Sequence, residues 1–472
     1  MSRPDRKKAK KSPDLKRAEA LFSKGSQHLE RNDLPGAEAC FREASQISPE
    51  LAEAQVNLGV TLERRGALPE AEACYARALW LLPGCLQAYL NLGALLVNQK
   101  RLGEAGKVYH AAIELFPASA ALWSNLGVLQ ACLKDEEEAE RSCRRALALD
   151  ATYAKARFNL SYLLLRQGRL EEGWQALEAR AWNLDLSARI PAPRWQGESL
   201  VGKALLIGCE GGYGDMIQFG RYASVLKGTG AARIGIVCHL PLKKLFTTLA
   251  GVDLVVALGE TVPGPDWDFW ILPQSIPRHC GTGLDSIPAP IPYLRIPGEE
   301  LLTWRARLPS ERALVGLAWQ GNPRFENDRD RSLAGLHLLA PLAAVEGVRF
   351  ISLQKTAEAL PPPAGIDLVD PSPWIGDFAD TAALVSSLDL VISVDTAAAH
   401  LAGALGIPCW VLLPHYKTDW RWFKEREDSP WYPGSMRLFR QPDTEDWAPV
   451  IAAVAAALRQ FVSEPRSAQS VL

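Results

Sequence analysis

Residues 86–117 read LQAYLNLGALLVNQKRLGEAGKVYHAAIELFP, and this stretch is one period of a longer pattern. Its Gly93 belongs to a column, Gly25, Gly59, Gly93 and Gly127, whose members stand 34 residues apart, with Ser161 in the next place. Ala37, Ala71, Ala105 and Ala139 keep the same interval, followed by Gly173. Phe41, Tyr75 and Tyr109 come four residues after those alanines, and Cys143 and Leu177 continue that column. Ala44, Ala78, Ala112 and Ala146 come three residues later. Pro49, Pro83 and Pro117 close the units, and the fourth unit departs from this with Ala151. Small residues let two antiparallel helices approach closely, the aromatic fills the gap beside them, and proline ends the second helix.

The pattern resembles the tetratricopeptide repeat. It places four full units in 18–153 and a degenerate fifth from 154 to about 187 that caps an α-solenoid. Cys40, Cys74 and Cys143 lie beside or within the aromatic column, which makes them packing residues. A further column is Asn57, Asn91, Asn125 and Asn159, again 34 apart. Asparagine is a mediocre helix former and helix packing does not require it. Two readings stay open for these amides. They bond neighbouring repeats, or they pair with the backbone of an extended peptide. The second resembles the asparagine ladder of the eukaryotic protein O-GlcNAc transferases, which implies a protein or peptide partner held by Asn57, Asn91, Asn125 and Asn159.

Composition bounds the rest. At 472 residues the chain is too long for one core, and 48% hydrophobic with 22% charged residues is a globular balance. The net charge of −2 offers no whole-chain attraction for nucleic acid or an acidic membrane, so any polyanion site is local. No uninterrupted apolar run of about 18 residues exists to span a bilayer. The first 17 residues carry eight Lys or Arg without an apolar segment, which reads as a disordered basic tail rather than a signal peptide. The nine cysteines show no CxxC or Cys/His spacing, as expected of thiols in a reducing compartment, and the cytoplasm is the expected location.

After a linker at 188–202 the periodicity changes. Short apolar runs alternate with helix-like segments, the pattern of a parallel α/β sheet. Strands are expected at 204–209, 233–238, 253–258 and 268–272, then, beyond the Pro-rich stretch 286–298, at 313–319, 348–353, 388–394 and 408–413. Two doubly wound halves, 203–298 and 299–462, would face each other across a cleft at the carboxyl ends of their strands. The segment 446–462 reads as an amphipathic helix placed to return across the first half, and 463–472 as a disordered tail.

Three motifs carry chemistry. Glu210-Gly211-Gly212-Tyr213-Gly214-Asp215 joins the first strand to a helix, and Gly212 and Gly214 allow a ligand close to the backbone near a helix N-terminus. The next strand ends Val237-Cys238-His239 without the acid that a nicotinamide dinucleotide requires. Asp215 fits either a helix cap or a general base for an acceptor hydroxyl. In the second half, Trp319-Gln320-Gly321-Asn322-Pro323 leads to Asn327-Asp328-Arg329-Asp330-Arg331-Ser332, a loop composition that suits phosphate. Arg329 and Arg331 interleave Asp328 and Asp330, so local salt bridges are expected there and no metal site. The sharpest motif is Ser393-Val394-Asp395-Thr396-Ala397-Ala398-Ala399-His400, which delivers Asp395 and Thr396 to a helix N-terminus with His400 one turn on. Lys355 ends another strand.

Taken together, EGGYGDMIQFGRY, GLAWQGNPRFENDRDRS, ISLQK, SVDTAAAHLAGALGIP and WRWF…DSPWYP…MRLFRQ resemble bacterial tetratricopeptide-repeat glycosyltransferases. Their catalytic half is similar to family 9 heptosyltransferases and, more distantly, to protein O-GlcNAc transferases. The resemblance implies a GT-B fold with two Rossmann-like halves, a nucleotide-diphosphate sugar donor, inversion at the anomeric carbon, and no cofactor or catalytic metal. It implies Asp215 as catalytic base, Asp395, Thr396 and His400 at the donor sugar and diphosphate, and Trp319, Asn322, Arg331, Ser332 and Lys355 on the donor side. Ala397 replaces the glycine usual after Asp-Thr in heptosyltransferases, and Tyr213 stands where leucine is common, so heptose is not assumed. Two further readings remain: transfer to a surface glycan or lipid-linked acceptor, and a non-catalytic repeat adaptor that binds a nucleotide sugar.

Overall fold

The structure is a computed structural model that describes residues 13–180, 192–264, 267–296, 298–308, 312–325, 327–355, 362–443 and 446–463. The expected tails and linker therefore lie partly outside the described residues. The chain divides into two compact units, 1–163 and 164–472.

The first unit is a run of paired helices: α1 (Pro13–Glu30), α2 (Leu34–Ile47), α3 (Ala52–Arg64), α4 (Leu68–Leu81), α5 (Leu86–Asn98), α6 (Leu102–Leu115), α7 (Ala120–Cys132), α8 (Glu136–Leu149) and the start of α9 (Ala154–Arg166). Helix α1 is described from Pro13 onward, inside the stretch read as tail. The glycine column has a steric reason. A Cβ on Gly93 would run into the Tyr109 ring, and on Gly59 it would sit 2.5 Å from that of Tyr75. Each buried ring thus packs closely on the glycine of the first helix of its own repeat, with Phe41, Tyr75 and Tyr109 almost wholly out of water. The second helices end alike, the cap N–H of Ser48, Leu82, Phe116 and Asp150 reaching Ala44, Ala78, Ala112 and Ala146. Where Ala151 replaces proline, Asp150 Oδ1 accepts the Thr152 N–H at 2.9 Å and its hydroxyl at 2.7 Å, and this local turn stops the helix instead.

The division between units falls inside α9, not at the 188–202 linker. The second helix of the degenerate repeat, α10 (Leu170–Leu177), is thus more than a cap: it is built into the second unit. Its Trp174 donates to the Thr282 carbonyl at 2.9 Å and meets Phe219, Trp420 and Trp431 edge-on at 6.5, 5.3 and 6.3 Å between ring centroids.

The rest of the second unit holds two parallel sheets. β1 (Ala204–Ile207), β2 (Arg233–Cys238), β3 (Leu254–Ala257) and β4 (Phe269–Ile271) lie in the order β3-β2-β1-β4. β5 (Ala313–Ala318), β6 (Val348–Ser352), β7 (Leu368–Val369), β8 (Leu390–Val394), β9 (Cys409–Leu413) and β10 (Met436–Arg440) lie in the order β10-β9-β8-β5-β6-β7. Every named strand pairing is parallel. Counted within its own lobe, the second sheet runs 3-2-1-4-5-6, the doubly wound order whose reversal between first and fourth strands opens a crevice at their carboxyl ends. The first sheet has the same reversal between β1 and β4. The final helix, Ala448–Ser463, corrects one expectation. Its apolar face (Val450, Ile451, Val454, Leu458) packs with Trp410, Phe439 and Leu339 in the second lobe's core and does not cross to the first.

Candidate functional site

β1 of the first lobe and β5 and β8 of the second run into residues singled out from the sequence. After β1 the chain turns through Gly211, whose φ of +72° is the left-handed region that glycine adopts without cost. A Cβ there would also meet Asp215 Oδ2 at 2.5 Å. Gly212 then caps the helix Tyr213–Gly220, and Asp215 Oδ2 accepts the Gly212 N–H at 2.7 Å. The capping role weighed for Asp215 is therefore real. Its second oxygen, Oδ1, pairs with Arg421 of the other lobe.

Arg421 sits in the short turn Trp420–Trp422 and organises the junction. Its Nε donates to Gln218 at 2.6 Å, its Nη1 to both oxygens of Asp419 at 3.0 and 3.1 Å, and its Nη2 to Asp215. Asp215 and Gln218 are three apart on one helix and so share a face, which lets one guanidinium fork grip both. The residue-by-residue reading of the sequence did not single out Arg421. The only signal was a buried-looking arginine between two tryptophans, within WRWF.

Across from the glycine turn, β8 runs into Asp395 and Thr396, and Thr396 caps the helix Ala397–Leu405 without a side-chain bond to it. The Thr396 hydroxyl instead lies 3.0 Å from that of Ser393. The Asp395 carboxyl is pushed up to about 6 by its removal from water and then by the Asp419 carboxylate, with Arg331, Trp422 and Arg421 pulling the other way. His400 is buried, stacked on Trp422 with ring centroids 5.3 Å apart, and bonded through Nδ1 to the Tyr432 hydroxyl at 2.9 Å. Burial drives its pKa well below the ordinary imidazole range, and Arg421, Arg221 and Arg331 act in the same direction. All of these influences favour the neutral ring. A Cβ on Gly214 would sit 2.8 Å from His400 Cδ2, so Gly214 permits the direct contact between the two motif-bearing helices.

Other expected residues divide. Arg331 is 3.2 Å from Asp328, and Ser332 Oγ bridges the two ends of its loop, donating to Asp328 at 3.0 Å and accepting the Gly321 N–H at 2.8 Å. The salt-bridge reading is seen for Arg331 with Asp328, and Arg331 is near enough to Asp395 to act on its charge. Trp319 is a correction: its ring belongs to the core of the second lobe, 6% exposed. Asn322 is exposed and caps its own turn at Arg324, and Lys355 is exposed with its amine on the Ile375 carbonyl at 3.3 Å. The structure gathers Gly212, Gly214, Asp215, Arg331, Asp395, Thr396 and His400 around Arg421, and leaves Asn322 and Lys355 in local contacts.

On the first unit, Asn57, Asn91, Asn125 and Asn159 are all half-buried on first helices of their repeats. They do not behave alike. Asn159 donates to Ser124 of the preceding repeat at 3.0 Å and Asn125 bonds the Tyr109 side chain. Asn91 accepts from Gln87 at 2.7 Å, while its Nδ2 is buried with no partner among the described residues.

The Tetratricopeptide repeat family matches residues 22–84 and 90–154. The first unit is a tetratricopeptide-repeat solenoid. Protein FlbA of Caulobacter vibrioides is 28% identical over 368 residues, covering 71% of this chain; the chain spans 59% of that relative's length. Among solved structures, Pseudomonas aeruginosa pilF is 23% identical with a TM-score of 0.34, covering 38% of this chain and 81% of its own. A thermophilic TPR protein of Thermus thermophilus is 26% identical with a TM-score of 0.33, covering 36% and 96%. Repeats of this kind bind protein partners. Among the described residues no helix is long and apolar enough to cross a membrane.

Proposed function

We propose that the second unit is an inverting, nucleotide-sugar-dependent glycosyltransferase of GT-B type, and that the repeats recruit a protein acceptor for O-glycosylation. The observation that carries this reading is the apposition of two doubly wound sheets at their crevice ends, where the Asp215 turn of one lobe meets the Asp395–His400 helix start of the other. A nucleoside diphosphate sugar suits the second lobe, whose helix N-terminus at Thr396 and Arg331 oppose negative charge. The acceptor oxygen would attack the anomeric carbon, its proton passing to Asp215 as the bond to the diphosphate breaks and the nucleoside diphosphate leaves. No cofactor or metal enters this sequence. A glycan or lipid-linked acceptor would use the same chemistry.

A second reading has its own support. Both oxygens of Asp215 already accept a donor, one from the helix cap and one from Arg421, an arrangement that a purely binding adaptor would also use. Carboxylates hold about four lone-pair positions, so capacity for an acceptor hydroxyl remains. One experiment separates the two. Thermal-shift screening against a panel of nucleotide sugars identifies the donor, because a ligand of the folded state raises apparent stability. Hydrolysis or transfer of that donor by the native protein, lost in Asp215→Asn while binding persists, supports the enzyme. Binding without turnover in the native protein supports the adaptor.

A further inference from the structure

The strongest polar cluster outside the crevice lies directly beneath the glycine turn. Arg180 and Glu210 are both fully buried and form a bidentate pair, Nε to Oε1 at 2.5 Å and Nη2 to Oε2 at 3.2 Å. Arg180 spends its remaining donors on Ser275 Oγ at 2.7 Å, and on the Leu177 carbonyl and Glu178 Oε1, each at 3.1 Å. Arg194 closes the cluster on Glu178 at 2.5 Å and Ser275 at 2.8 Å, so that among the described residues two cations face two anions. Glu210 Oε2 also accepts the Gln274 N–H at 3.2 Å, at the end of the neighbouring strand β4.

A buried ion pair is weak support for stability as such, since well-packed apolar residues of similar volume often serve as well or better. Its geometry here has a different use. Glu210 is the last residue before Gly211, and two residues after it comes the Gly212 N–H that orients Asp215. Arg180 follows α10, the last repeat helix, by only three residues, and its Nη1 bond to Leu177 ties it to the end of that helix. The pair therefore fixes the base of the turn at one point, from outside the sheet that bears it.

We infer that Arg180 and Glu210 are positioning residues for Asp215, so that the end of the last repeat helix sets the placement of the crevice's acidic turn. The consequence for turnover rests on the glycosyltransferase reading; the placement of the turn does not.

The test uses the full chain with Arg180→Lys, which keeps charge and loses the fork, and the double variant Arg180→Met/Glu210→Gln, which leaves no unpaired buried charge. Thermal unfolding, amide hydrogen exchange of residues 211–216 and hydrolysis of a panel of uridine, guanosine, cytidine and adenosine diphosphate sugars are read together. The double variant should unfold close to the native temperature, yet exchange at 211–216 should quicken about tenfold relative to β1, as local opening requires. Sugar hydrolysis should fall by about tenfold to a hundredfold in both variants, the effect of small misplacement. Native exchange at 211–216 in the double variant would overturn the inference, because a merely structural pair is replaceable by one of matched volume. A native protein inert toward the whole panel would overturn the glycosyltransferase reading, while the exchange result still decides the role of the pair.

Discussion

Asp215 of the first lobe and Arg421 of the second are joined by a salt bridge in which the arginine is 8% and the carboxylate 25% exposed at the side chain. The bridge makes the candidate base one member of a shared network with Asp419 and Gln218. Asp215→Asn keeps an oxygen for the Gly212 cap and removes the charge facing Arg421. Arg421 retains Asp419, so the expected stability loss is modest, about 1–2 kcal/mol, checked by denaturant unfolding. Turnover should drop by at least about a hundredfold, the scale of a lost general base. Turnover within twofold of native would remove Asp215 from the chemistry.

The raised Asp395 carboxyl has a pH signature. Its folded pKa of about 6 lies above the ordinary value of 3.8, so the folded state binds more protons than the unfolded state between those limits. Stability from this group is therefore greatest below about pH 4 and declines as pH rises to about 6. Asp395→Asn removes the penalty. The variant should exceed the native protein by about 1–2 kcal/mol at pH 7.5 in the absence of ligand, with the difference vanishing near pH 4. Unfolding curves at the two pH values test this, and a difference independent of pH would contradict it.

Asn91 and Asn159 should separate under alanine substitution. Asn159 holds a bond to the preceding repeat, so Asn159→Ala should cost about 1 kcal/mol. The Asn91 Nδ2 has no partner among the described residues, so Asn91→Ala should leave the unfolding temperature within about a degree of native. It should weaken capture of a protein partner. Equal destabilisation by both variants would favour inter-repeat bonding along the whole column.

Gly93→Ala tests the steric account of the repeat. Its Cβ would overlap the Tyr109 ring, and overpacking of this kind costs about 1–3 kcal/mol. Adding Tyr109→Leu should recover part of the loss, because the clash is with the ring. No recovery in a double-mutant cycle would place the cost elsewhere.

The repeats were legible because each column is written several times, and Gly93 against Tyr109 says the same thing as Gly59 against Tyr75. Strands β1 to β6, β8 and β9 were legible as apolar runs. β10 was missed because two arginines in five residues, Arg437 and Arg440, break its apolar run at the sheet edge, and β7 because two residues carry no period. Motifs on strand-to-helix turns, Asp215 and Asp395 among them, could be placed because a regular element delivers them. Arg421 lies in a short turn with no such frame, and its partners on the first lobe, Gln218 and Asp215, are 203 and 206 residues away in the chain. Trp319 misled for the converse reason: it follows a strand, yet its ring folds back into the core.

The placement of Trp174 and Arg180 has an evolutionary consequence. In a solenoid each unit leans only on its neighbours, so whole 34-residue modules can be gained or lost by duplication without disturbing distant parts. The unit bearing α10 is exempt from that freedom, because its aromatic ring and its guanidinium are sewn into both halves of the crevice. Array length is therefore free to drift across a lineage upstream of residue 154, while the final module must be inherited together with the sheets it holds.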